Sequence, residues 1–229
     1  MIVKAEGVFR HYFRRTGNAN YIEAVHPASL EIAPGSVTVL TGRSGSGKTT
    51  LLYMLSGLLM PTGGKVLYDG TDLYALDDRS LSRLRSGRLG IVPQGRSAVD
   101  TLTVLENILL PAMLYGRHLP EEAAAQWMEK LGIAHLRDAR PAELSGGELR
   151  RMAIVRVLVQ KPEILFADEP TGDLDDENTR LVLSAFRDYA HDRKKAVFMV
   201  THENDALLYA DRTYRMDSGQ ITASAGQTE

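Results

Sequence analysis

Residues 42–49 read Gly42-Arg43-Ser44-Gly45-Ser46-Gly47-Lys48-Thr49. Gly42, Gly47, Lys48 and Thr49 stand at the defining places of the pattern G-x-x-x-x-G-K-[ST]. The β-branched run Ser36-Val37-Thr38-Val39-Leu40-Thr41 before it predicts a strand, and Thr49–Ser56, stopping at Gly57, predicts a helix. Strand, glycine loop and helix aim backbone N–H groups at an anion. The glycines allow a tight turn and a close approach of backbone to that anion. Lys48 is placed to reach β- and γ-phosphates, and the Thr49 hydroxyl to ligate Mg²⁺. Ser44, Gly45, Ser46 and Thr50 complete the expected phosphate contacts. A plain glycine turn before an ordinary helix is the rival reading, and it stands against the full pattern with both flanks in register.

The loop indicates a nucleotide; residues downstream indicate what is done with it. Ile164-Leu165-Phe166-Ala167-Asp168-Glu169 is an apolar strand ending in two acids. Asp168 is the candidate for holding Mg²⁺. Glu169 is the candidate for polarising an attacking water. Leu144-Ser145-Gly146-Gly147-Glu148 has two readings that are compatible. Ser145-x-x-Glu148 is a capping box opening a helix over 148–160. A helix N-terminus carrying a serine and two glycines is also an anion site.

These motifs resemble those of the ATP-binding cassette ATPases, and the remaining marks of that family follow in its order between Gly42 and His202. The resemblance implies that Ser145, Gly146 and Gly147 meet the γ-phosphate of ATP held by a second subunit. It implies that Gln94, in Gly90-Ile91-Val92-Pro93-Gln94, contacts Mg²⁺ or the attacking water. Asp173 and Asp175, in Thr171-Gly172-Asp173-Leu174-Asp175, match a loop that crosses the dimer interface. His202, after Ala196-Val197-Phe198-Met199-Val200-Thr201, matches a γ-phosphate contact. The family places an aromatic residue on the adenine shortly after its first strand; Tyr12 sits at that distance, with Phe13 and Tyr21 as rivals near the loop 14–20. The implied fold is α/β: a P-loop NTPase core with a mainly parallel sheet, an antiparallel β subdomain and a helical signature subdomain. It is one domain over 1–229, with residues 1–86 and 156–229 forming the core and the antiparallel portion and residues 87–155 the helical subdomain.

Composition agrees with a single α/β unit. The chain has 229 residues, 44% apolar and 24% charged, which suits one ordinary globular domain. A net charge of −2 gives no basic surface for nucleic acid. The absence of cysteine removes disulfides, thiol catalysis and cysteine metal sites. Met1-Ile2-Val3-Lys4-Ala5-Glu6 does not read as a signal peptide, and no apolar run approaches the ~20 residues that span a bilayer. Pro34-Gly35 and Asp69-Gly70 predict turns, residues 121–131 before Gly132 a punctuated helix, and residues 222–229 a frayed polar tail.

There is one phosphate loop and one signature, and no internal repeat. The resemblance implies a composite site that joins the phosphate loop of one subunit to the signature of another, so this chain would pair head to tail around two ATP, as a homodimer in the ATP-bound state or with a relative. Pro170-Thr171-Gly172-Asp173-Leu174-Asp175 and Thr103-Val104-Leu105-Glu106-Asn107-Ile108-Leu109-Leu110-Pro111 resemble the ATPases of lipoprotein release, macrolide or peptide export and cell division. That resemblance implies integral membrane permease subunits of the FtsX/MacB-like kind as partners and a cytoplasmic, peripheral position on the membrane. Gly95–Leu102 departs from those relatives, which carry bulky apolar residues and a proline there; Leu149 stands where glutamine is common. The alternative is a soluble cassette ATPase acting on DNA or ribosomes, but the chain lacks the coiled-coil insertion, zinc ligands or second ATPase unit usual in that group.

Overall fold

The computed structural model describes residues 1–13 and 21–223. The loop 14–20 and residues 224–229 of the expected tail lie outside the described residues. In chain order the strands are β1 (Val3–Phe13), β2 (Tyr21–Ile32), β3 (Ser36–Gly42), β4 (Gly63–Tyr68), β5 (Thr71–Asp72), β6 (Leu89–Val92), β7 (Ile164–Asp168), β8 (Ala196–Thr201), β9 (Arg212–Asp217) and β10 (Gln220–Ala223). The α-helices are α1 (Lys48–Leu55), α2 (Asp78–Arg88), α3 (Val104–Leu114), α4 (Glu121–Lys130), α5 (Gly146–Leu158) and α6 (Asp176–Arg193).

Two sheets result. One is antiparallel, in the order β2-β1-β4-β5; the other runs β10-β9-β3-β8-β7-β6 and is parallel except at β10. The inner parallel strands β7 and β8 are largely apolar runs buried along their whole length, because both faces are covered. Alternation along each strand then sorts their side chains into two cores. Val37, Val39, Leu165, Ala167, Val197 and Met199 pack with Ile108, Met128, Ile154 and Phe186 from α3–α6. Leu40, Ile164, Phe166, Phe198 and Val200 pack with Leu51, Leu52 and Leu55 of α1 and with Val3, Val8 and Val66 of the antiparallel sheet. Each fully buried Val, Leu, Ile, Phe or Met among them is worth about 1.5–3 kcal/mol of transfer free energy. Thr41 lies opposite Thr201, and Asp168 opposite Val200, so β3, β7 and β8 end level with one another. Ligands in open α/β sheets bind at such carboxyl ends.

The predicted elements reappear with small shifts. Asp69 and Gly70 both take left-handed backbone angles, the turn that joins β4 to β5. Gly132 ends the chain's rise out of α4 at a φ of 67°. Thr222, expected in the tail, is in β10. The division at 87 and 155 is the larger difference. Leu89–Val92 pairs with β7 as the edge strand of the parallel sheet, and α5 runs on to Leu158. Four residues carrying a glycine are too short to show a strand against the helical punctuation around them.

That glycine has a packing reason. A Cβ on Gly90 would lie 2.4 Å from Val157 Cγ1 and 2.7 Å from Pro162 Cγ. Its hydrogen therefore lets α5 and the turn after it press onto the sheet. Gly90→Val should cost about 1–3 kcal/mol by overpacking, read as a lower urea midpoint at an unchanged m-value. An unchanged midpoint would show that α5 gives way freely.

Candidate functional site

The glycine loop joins β3 to α1, the predicted strand–loop–helix order. No side chain caps α1, and Gly47 at its N-cap takes a φ of 104°. A Cβ there would lie 2.3 Å from the Ala24 carbonyl oxygen of β2, so conformation and space both require glycine. The first turn of α1 thus opens toward solvent with its N–H groups uncapped by side chains, as an anion site needs. Gly219 N–H donates to the Ser46 carbonyl at 2.9 Å, which ties the β9–β10 turn to the loop.

Lys48 is buried inside the loop's curve. Its Nζ donates to the carbonyl oxygens of Gly42 at 2.8 Å and Arg43 at 3.0 Å, and lies 3.7 Å from Glu169 Oε1. Asp168 is fully buried at the end of β7. Thr49 Oγ1 donates to its Oδ1 at 3.1 Å, while its Oδ2 has no hydrogen-bond partner. Burial pushes the Asp168 carboxyl up from its usual range, against the Thr49 bond, and the neighbouring Glu169 adds to the rise. Glu169 follows in a left-handed backbone conformation, φ 48°. Its N–H donates to Val200 O at 2.9 Å. Its Oε2 is 2.8 Å from His202 Nδ1 and accepts the His202 backbone N–H at 3.3 Å. Residues from three level strand ends therefore converge: Lys48 after β3, Asp168 and Glu169 at β7, His202 after β8.

Two adjoining clefts open on this group. One, of about 520 Å³, is lined by the loop residues Ser44, Gly45, Gly47, Lys48, Thr49 and Thr50, with Gln94 and Glu169. The other, of about 470 Å³, is lined by Ser44, Gln94, Arg150, Glu169, Asp173 and His202 among others. Gln94 thus reaches the same space as Glu169 from the loop after β6. An orphaned buried carboxylate oxygen beside a hydroxyl suits a hard cation such as Mg²⁺. Among the described residues no group of three or more His, Asp or Glu side chains is arranged to hold a metal alone.

Other predicted residues lie elsewhere. Ser145, Gly146 and Gly147 line neither cleft. Ser145 caps α5: Glu148 N–H donates to its Oγ at 3.3 Å, and Ser145 N–H donates to Glu148 Oε2 at 2.8 Å. The Ser145 hydroxyl bond, then the backbone bond, holds the Glu148 carboxyl below its usual range. Asp175 also lines neither cleft; it caps α6 through the Asn178 N–H at 2.8 Å. Tyr12 stands opposite Ile22 in the antiparallel sheet, with the Arg10 guanidinium 4.9 Å from its ring centre. Ile22, Glu23 and Ala24 line the first cleft, whereas Tyr12, Phe13 and Tyr21 do not. The sequence reading missed Arg150, which lines the second cleft; its only outward sign was the arginine pair Arg150-Arg151 directly before the apolar run 152–155.

A family model described as ABC transporter matches residues 25–172. The chain is 36% identical over 220 residues to the "Lipoprotein-releasing system ATP-binding protein LolD" of Bdellovibrio bacteriovorus, covering 95% of this chain and 99% of that protein. It is 38% identical over 201 residues to the LolD protein of Aquifex aeolicus, covering 87% and 89%. Among solved structures it is similar to the dimeric bacterial ABC transporter cassette MJ0796, with a TM-score of 0.88 and 29% identity over 98% of this chain and 99% of that one. A post-hydrolysis dimer of the same cassette, bound to ADP and Pi, matches with the same TM-score.

The raised carboxyl of Asp168 has a consequence for stability. A group whose pKa is raised by folding stabilises the fold below its unfolded pKa and loses that contribution as pH rises through the folded value. At neutral pH the ionised Asp168 is therefore a burden on the ligand-free protein. Asp168→Asn should raise Tm near pH 7, with the advantage shrinking as pH falls into the ordinary aspartate range. A lower Tm at neutral pH would show that the carboxylate is better partnered than its bonds indicate.

Proposed function

We propose that this chain, which belongs to the ABC transporter family, binds and hydrolyses ATP as the motor subunit of a membrane transporter. The observation that carries the reading is the convergence of Lys48, Asp168, Glu169 and His202 at one end of the parallel sheet, against an uncapped helix N-terminus. ATP is the substrate. The loop amides, Lys48, Ser44, Gly45, Ser46 and Thr50 would hold its phosphates. Thr49 and Asp168, with Gln94, would hold Mg²⁺, whose charge stabilises negative charge on the transferring phosphoryl group.

Glu169 is the general base. Its Oε2 is engaged by His202, and Oε1, which has only Lys48 Nζ at 3.7 Å, is the oxygen that accepts the proton of the attacking water. That water attacks the γ-phosphorus, the bond to the ADP oxygen breaks, and ADP and inorganic phosphate leave. His202 orients the base through Nδ1 and is available to the γ-phosphate.

Ser145, Gly146 and Gly147 act in trans in this reading, because within one chain they lie outside both clefts. The active form is then a head-to-tail homodimer with two ATP. The likeness to a dimeric cassette supports this arrangement. Asp173 lines the second cleft beside His202, a place from which it can reach across such an interface. Tyr12, with Phe13 and Tyr21 as rivals, is the proposed adenine contact, on its place beside Ile22 at the edge of the first cleft. The partner is a separate integral membrane permease, FtsX/MacB-like, which places the chain on the cytoplasmic face of the membrane. Relatives named for lipoprotein release support extraction or export of a lipoprotein or similar cargo. Among the described residues no helix is long and apolar enough to cross a membrane. A groove of about 590 Å³ beside Gln94, lined by Gly95, Arg96, Ala98, Asp100 and Leu149, is the proposed permease contact.

Glu169→Gln keeps the shape of the base and removes its proton acceptor, which costs ~10²–10⁴ in rate. Nucleotide binding should survive, since Lys48, Thr49 and Asp168 are intact. With Mg²⁺ and ATP the variant should accumulate as a dimer by light scattering, a species only transient in the parent protein. Near-normal hydrolysis, with no dimer, would remove Glu169 from the role of base.

A further inference from the structure

Arg150 lies in the second turn of α5, 5% exposed, with no carboxylate in salt-bridge contact among the described residues. Its whole fork is spent on backbone carbonyl oxygens. Nε donates to Pro170 at 3.2 Å, Nη1 to Pro93 at 2.5 Å, and Nη2 to Asp168 at 2.6 Å and to Glu169. Two of these carbonyls belong to the proposed metal ligand and the proposed base. A third belongs to the residue before Gln94. Burial pushes the guanidinium below its ordinary value, with Asp173, Asp168 and Glu169 acting the other way.

Packing alone does not call for this side chain. Burying a charge costs free energy that an apolar residue of similar volume would not incur. What an apolar residue cannot do is bind four carbonyls that converge from two strand ends. One of them needs holding. Glu169 sits at a positive φ, a conformation that is unfavourable for a residue with a Cβ. Such a conformation persists only where the surroundings over-determine it. Val200 takes the Glu169 N–H, and Arg150 takes the Glu169 carbonyl. The backbone of the base is thereby gripped from both sides, and its carboxylate is delivered between Lys48 and His202.

We propose that Arg150 is a positioning residue for hydrolysis. It ties the helix opened by Ser145 to the backbone of Glu169 and to the start of the Gln94 loop, so that the placing of that helix sets the aim of the base. The proposal rests on the reading of Glu169 as the base, and the experiment separates the two. It is a double-mutant cycle of Arg150→Gln and Glu169→Gln, measured by steady-state ATP hydrolysis with ADP affinity alongside. Arg150→Gln should lower kcat roughly 10- to 100-fold, the cost of a misplaced catalytic group. KM and ADP affinity should stay within about twofold, because the phosphate loop is untouched. In the Glu169→Gln background the same substitution should cost less than about twofold, because its effect runs through a base already removed.

Arg150→Lys keeps the charge but not the planar fork. It should also lose kcat selectively, and it carries the test if Arg150→Gln does not fold. Near-normal kcat in a folded Arg150 variant, parallel loss of kcat and ADP affinity, or an equal cost in both backgrounds would each overturn the proposal while leaving the base in place. Unchanged turnover in Glu169→Gln alone would instead overturn the assignment of the base, and with it the route through Glu169.

Discussion

A charge taken out of water must be met by fixed partners, and at the carboxyl end of the parallel sheet three charged side chains are taken out of water together. Lys48 and Arg150 are each 5% exposed and Asp168 is fully buried. Lys48 and Arg150 are met almost wholly by backbone carbonyls: two in the glycine loop, four at the ends of β6 and β7. Those carbonyls stand where sheet register puts them. The site therefore inherits its geometry from the pairing of β3 with β8, β8 with β7 and β7 with β6. Asp168 is the exception, with one oxygen left unmet. The imbalance is tolerable because two apolar cores, one on each face of the sheet, hold the strands against it.

The helical side shows the same use of polar anchors. Arg156 donates to the Ser97 carbonyl at 2.6 Å and to the Ser97 hydroxyl. Buried Asn107 accepts the Val99 N–H at 2.8 Å and donates to the carbonyls of Val99, Leu102 and Thr103. Residues 97–103 are thus pinned from beneath by hydrogen bonds. Its shape is set by these bonds, and Arg96 and Asp100 line the groove beside it.

What could be read from residues alone follows from how local the physics is. Gly42–Thr49 was legible because each position answers to its own backbone or to the phosphate it would meet. The capping box at Ser145 and Glu148, and the Asp69-Gly70 turn, were legible for the same reason. Glu169 and His202 are 33 residues apart and were joined only through the order of a known family's motifs; their 2.8 Å contact gives that pairing a physical basis. Arg150 was invisible because its partners are carbonyls up to 57 residues away, and a carbonyl carries no residue identity. Strand β6 was hidden by its shortness. Asp175, expected at the interface only through the resemblance, also caps α6 through the Asn178 N–H, a local role its place before a helix made legible.

The central claim is that the hydrolytic site is shared between two chains, the phosphate loop of one facing Ser145 of the other. The chain has no cysteine, so introduced ones are unambiguous. Ser44 and Gly146 are both exposed, and a Cβ on Gly146 meets nothing within 4 Å. The measurement is oxidative cross-linking of Ser44→Cys with Gly146→Cys, in a background carrying Glu169→Gln. With Mg²⁺ and ATP, the double-cysteine chain should give a covalent dimer, and neither single-cysteine chain should do so alone. Cross-linking confined to one chain, or dimers formed equally by the single variants, would contradict a shared site.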